Sequence, residues 1–176
     1  MAQTTIRGEQ LKDIWEMVEE ITIGSAVTTQ DFTATLDGDV DGAYMIEGRI
    51  VNDQVSNASI NIRINSANWA TNRQYNSASG TSVTASRDTA TNMALAIANG
   101  GYTQFRTFFP CVITGDGRTC YTIETRGNTT SLANITFTHD ITTPANSVNI
   151  TSLGVASSIA SGIGVGSVLR LWKRRK

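Results

Sequence analysis

From about residue 31 onward, apolar and polar residues alternate in short runs, the two-residue period of a strand with one buried face. The stretch 58–65 is the clearest case: Ile60, Ile62 and Ile64 fall on one side, and Asn61, Arg63 and Asn65 on the other. One face is expected in the core and one in water. Similar runs at 31–36, 43–51, 93–98, 103–109, 112–114, 119–125, 135–139, 146–153 and 167–172 predict further strands. No helical period lies between them to make parallel crossovers, so the pattern predicts an antiparallel sandwich or barrel. Residues 66–92 are rich in Ser, Thr, Asn and Ala, and read as a long surface loop or insertion.

The period differs before that point. Leu11, Ile14, Trp15, Val18 and Ile21 recur at intervals of three or four between Gly8 and Gly24, with Glu9, Lys12, Asp13, Glu16, Glu19 and Glu20 between them. That spacing predicts an amphipathic helix. So short a helix is marginal alone in water, so its apolar stripe needs a cover: its own domain, the same stripe on other copies, or a larger assembly. The chain accordingly divides into a helical anchoring or assembly arm at 1–23, a β-body at 24–172 and a basic tail at 173–176.

Composition narrows the function more than it names one. A chain of 176 residues suits one domain. Its 14 basic and 15 acidic residues leave a formal charge of −1, so no long-range field directs it to nucleic acid or an acidic membrane. Residues 1–8 lack the basic and apolar runs of a secretory leader. The uncharged stretch 141–169 is too rich in Ser, Thr, Asn and Gly, and holds Pro144, for a spanning helix. No membrane and no nucleic-acid partner is expected.

Candidate chemistry is sparse. Asp37, Asp39 and Asp41 alternate before Gly42 as in a calcium loop, but position twelve of such a loop is Gly48, and a solvated turn is the expectation. Cys111 and Cys120 flank Gly115, Asp116 and Gly117. A two-residue turn at Gly115 and Asp116 sets the cysteines opposite each other, whereas a turn at Asp116 and Gly117 slips the register, and reduced thiols are expected. The sole histidine, His139, has no recognisable catalytic partner, and Gly162, Gly164 and Gly166 are followed by Ser167, Val168 and Leu169 rather than the Lys and Ser or Thr of a phosphate loop. No catalytic residue, metal or cofactor is expected. The chain reads as a non-enzyme.

The closing segment carries a resemblance. Ile150-Thr151-Ser152-Leu153, then Gly162 to Ser167, then Leu169-Arg170-Leu171-Trp172, resembles the last two strands of a widespread family of bacteriophage jelly-roll proteins, in which an ITSI strand, a Gly-rich loop and a terminal GS-x-x-x-LYG strand follow one another. Ile62 to Asn65 with Asn72 and Tyr75, and Phe105 to Phe109 with the hairpin after it, extend the likeness over roughly residues 30–172. The resemblance implies a jelly-roll β-sandwich, often a homotrimer, on the surface of the virion and made in the host cytoplasm. The leading function is capsid decoration or a head fibre, attached to the major capsid protein or another virion protein, with Leu11, Ile14, Trp15, Val18 and Ile21 as the assembly or anchoring stripe. The alternative is a tail-borne receptor-binding module for a host surface ligand, in which Trp69 and Tyr75 offer stacking platforms.

Overall fold

The computed structural model describes residues 15–68, 71–79, 82–90, 93–97, 101–111, 118–127, 132–141 and 149–175. These residues form thirteen strands and no helix. In order they are β1 (Glu16–Thr22), β2 (Thr29–Asp31), β3 (Asp41–Val51), β4 (Ala58–Ile64), β5 (Ala67–Asn68), β6 (Thr71–Ser79), β7 (Ser82–Ala90), β8 (Met93–Ile97), β9 (Tyr102–Pro110), β10 (Arg118–Gly127), β11 (Leu132–Ile141), β12 (Leu153–Ser157) and β13 (Val168–Arg175). They make two antiparallel sheets. The larger runs β1-β13-β3-β9-β10-β11-β6-β7, and the smaller runs β2-β12-β4, with β5 and β8 both pairing with β4.

Eight of the strands nest in pairs, β1 with β13, β2 with β12, β3 with β9 and β4 with β8. This is one long antiparallel ribbon folded back at β4 and β8. Further pairing of β13 with β3 and of β12 with β4 rolls the ribbon into the two sheets. The hairpins β6–β7 and β10–β11 interrupt the ribbon between β4 and β8 and between β9 and β12. They join each other through β6 and β11, and extend the large sheet past β9.

Both sheets contribute to a common core. Tyr44, Ile46, Ile50, Phe105, Leu169 and Leu171 come from the large sheet and Ile60, Ile62, Ile64, Leu153 and Val155 from the small one, all buried. Each such aliphatic burial is worth about 1.5–3 kcal/mol, so the alternation of these residues is what fixes register. Gly48 lies between Leu169 and Phe105 in the pairing, and a Cβ there would sit 2.8 Å from Leu169 Cδ2 and 2.7 Å from Phe105 Cε1. Its missing side chain lets those two meet. Between β9 and β10 the buried face turns polar, where Thr107 and Thr122 pair their hydroxyls at 2.9 Å and Thr103 donates to Glu124 Oε1 at 2.7 Å. Buried polar groups there satisfy one another.

The expected N-terminal helix is absent from residues 15–22. Met17 pairs with Trp172 and Glu19 with Leu171, which leaves Val18 as the extra residue of a β-bulge. Val18 and Ile21 therefore both pack against the core while three residues apart, the interval a helix would give. Glu19 accepts hydrogen bonds from Thr33 N (2.8 Å), Thr33 Oγ1 (2.9 Å) and Ala34 N (2.8 Å), and so ties β1 to the segment after β2. Residues 16–22 thus belong to the β-body that was expected to begin at residue 24. The expected basic tail is also partly strand, since β13 continues to Arg175 and Lys173 Nζ lies 4.0 Å from Asp41 Oδ1.

Three further boundaries moved. Residues 66–92 hold β5, β6 and β7 rather than a loop, because backbone pairing of β6 with β7 and β11 extends the sheet without needing apolar alternation. Of the expected strand at 146–153, residues 149–152 are irregular because Asn65 organises them, Leu153 opens β12, and 146–148 lie outside the described residues. Asn65 is in the left-handed region (φ 51°), its Nδ2 donates to Asn149 O (2.7 Å), and its Oδ1 accepts from Thr151 N (2.8 Å) and Ser152 N (3.1 Å). Of the run 31–36 only Asp31 is in a strand, and 112–114 lies outside the described residues. Asn61, expected in water, is 6% exposed with its Oδ1 unpartnered among the described residues.

Candidate interaction surface

Potential reacting groups are drawn into structural contacts. Asp37 Oδ1 accepts from Asp39 N (3.1 Å) and Asn149 Nδ2 (2.9 Å), while Asp41, 7% exposed, accepts the Tyr44 hydroxyl proton at 2.7 Å. Burial, with the Asp41 carboxylate as partner, raises the Tyr44 phenol well above its ordinary value. The three alternating aspartates do not converge, and no group of three metal-ligating side chains is found among the described residues. Cys111 and Cys120 are buried and not joined in a disulfide. The pairing of Tyr121 with Phe108 sets Cys120 opposite residue 109, so the register that opposes the two cysteines is not adopted. His139 sits within β11, paired with Cys120 and Arg73.

The outer face of the large sheet is organised differently. Residues in one register row across neighbouring strands share a face, so the pairings of β1, β13, β3, β9 and β10 lay side chains out in lines. One line reads Met17, Trp172, Met45, Phe108, Tyr121. Trp15 joins it, its ring edge-on to Phe108 at 5.8 Å and 75°. Met17 is 48% and Tyr121 54% exposed, which is unusual for a contiguous apolar row on a monomer.

Beside it runs a charged line, Glu20, Arg170, Glu47, Arg106, ending at Ile123, which is 61% exposed. Arg170 Nε donates to Glu20 Oε2 at 2.5 Å. Glu47 holds Arg106 with Oε1 (Nε at 2.6 Å) and the Trp172 indole N–H with Oε2 (2.9 Å), which locks the charged line to the apolar one. Both long cations are therefore held in place rather than swinging in solvent. Arg49 in the next row lies over the Tyr102 ring at 4.9 Å, and the rows enclose a shallow open depression of about 400 Å³ between Arg49, Arg106, Ile123 and Arg170.

Of the residues singled out in the sequence, Trp15 reaches this face, whereas Val18 and Ile21 point to the opposite side, into the core. The expected single stripe is thus split between two faces. Leu11, Ile14 and Trp69 lie outside the described residues. Tyr75 is on β6, paired with Phe137 and Ser86, and its side chain lies outside the described part. Met17, Met45, Phe108, Tyr121 and Trp172 were missed as a set because they are distant in sequence, and only strand order makes them neighbours. No family model, curated protein or solved structure matches the chain.

Proposed function

We propose that the chain is a non-enzymatic structural protein of a bacteriophage virion, a jelly-roll domain that decorates the capsid or forms part of a head fibre through self-association and attachment. The nested ribbon carries this reading. A jelly-roll is eight strands in two Greek keys, which is what rolling four nested antiparallel pairs produces, and the core strands here run β1-β13-β3-β9 over β2-β12-β4-β8. Of the segment that resembles the phage family, Leu153 opens β12 and Leu169–Trp172 lie in β13, the last strands of that ribbon, while Ile150–Ser152 lead into β12 as irregular chain. A row of aromatics and methionines locked to a charge ladder supports work by protein contact.

Particle attachment is assigned to the segment before Trp15, because residues 16–22 are committed to the sheet. Quantitative peptide mass spectrometry of purified phage particles tests the proposal. Many copies per particle, at a fixed ratio to the capsid subunit, is the expected result; absence from particles overturns it.

A further inference from the structure

We infer that the outer face of the large sheet docks a second copy of this chain, face to face, about a two-fold axis parallel to the strands and passing between β13 and β3. The argument is self-complementarity. Such an axis reverses strand order while holding each row over itself, so that β1 faces the partner's β9 and β13 faces the partner's β3. The charged row reads minus, plus, minus, plus across Glu20, Arg170, Glu47 and Arg106. Reversed, it sets Glu20 over Arg106 and Arg170 over Glu47 at every position, opposite charge on opposite charge.

The neighbouring row obeys the same operation. Met17, Trp172, Met45 and Phe108 become Met17 over Phe108, beside the Trp15 ring that meets Phe108 edge-on, and Trp172 over Met45, each thioether against an aromatic ring. Two independent rows meet their complements under one symmetry operation, whereas an in-plane axis perpendicular to the strands lays apolar row on charged row if it passes between them, and each charge on its own like if it runs along the charged row. The arrangement is aligned sheet packing, in which strand directions stay within about 30°. Four strand spacings by three rows make a footprint of roughly 20 by 20 Å, below the approximately 800 Å² per partner of a standard interface. Association of this face alone is therefore expected in the micromolar range or weaker.

This inference rests on the self-association proposed above and gives it a two-fold contact in place of the homotrimer that the resemblance implies, but it is tested on purified full-length chain, so its failure and the failure of the particle assignment are read separately. The experiment is sedimentation equilibrium from about 5 to 500 µM on wild type, Glu20→Arg, Arg106→Glu and an equimolar mixture of the two variants. Wild type is expected to form dimers or even-numbered assemblies. Each variant alone opposes like charges across the axis and is expected to associate at least about tenfold more weakly. In the mixture, Arg at position 20 meets Glu at position 106 and the second half of the contact is native, so association is expected to return to within about threefold of wild type. That recovery also shows that both variants are folded. A wild-type monomer at 500 µM, an odd-numbered assembly, variants that associate as wild type does, or a mixture that fails to recover overturns the inference.

Discussion

Gly154 offers the sharpest test of how the small sheet closes. It sits in β12 between Asp31 of β2 and Arg63 of β4, and the Arg63 guanidinium reaches across it to both Asp31 oxygens, at 2.7 and 2.8 Å. A Cβ at Gly154 would lie 2.1 Å from Asp31 Oδ1 and 2.8 Å from both Asp31 Cα and Gln30 O. Rotating the Asp31 side chain relieves only the first contact; the other two are backbone, so β2 itself has to move. Overpacking of this kind costs about 1–3 kcal/mol, and the loss of a part-buried ion pair adds about 1 kcal/mol. Gly154→Ala is therefore expected to lose about 2–4 kcal/mol. At about 2–4 °C per kcal/mol for a domain of this size, the melting temperature falls by about 4–16 °C, read by circular dichroism or calorimetry. In an Asp31→Ala background the same substitution is expected to cost about 1 kcal/mol less, because the side-chain contact and the ion pair are already gone. A Gly154→Ala protein melting within 1 °C of wild type would refute this geometry.

Other substitutions probe the remaining joints. Asn65→Ala removes the acceptor for Thr151 and Ser152 N–H and strains the left-handed backbone, so a loss of about 2–4 kcal/mol by urea unfolding is expected, with Asn65→Gly milder than Ala because glycine carries no such strain. Glu19→Ala leaves two backbone N–H groups at Thr33 and Ala34 without their carboxylate and is expected to cost about 1–2 kcal/mol; a neutral result would argue against the bulge that aims Glu19 there. Tyr44 has a folded-state pKa raised above its unfolded value, so its contribution is complete below about pH 10 and is lost above it, at up to about 1.4 kcal/mol per pH unit. Tyr44→Phe is expected to be less stable than wild type at pH 8 yet to lose less stability between pH 10 and 11.5; identical alkaline slopes would contradict that assignment.

How legible the fold was depended on what held each strand. β3, β4, β8, β9, β10, β11 and β13 were visible in outline, because several of them carry the alternating aliphatics that line the core. β6 and β7 were invisible, since their pairing to each other and to β11 needs no apolar face, only available backbone groups. β1 was misread because a bulge converts a two-residue period into a three-residue one, and the two periods are indistinguishable over so few turns. The candidate surface was hidden for a different reason. Trp172, Met45 and Phe108 are adjacent only because β13, β3 and β9 are, and strand order is a long-range property that local pattern does not encode. Asn65 was noticed as part of a resemblance; its physical role as the clamp on residues 149–152 required the hydrogen bonds.

The measurement that tests the central claim most directly is electron microscopy of intact phage particles labelled on this protein. Label distributed over the head is the result expected of a capsid decoration or head-fibre protein. Label confined to the tail would contradict that assignment and favour a receptor-binding module in its place, and particles without label would contradict a virion role altogether.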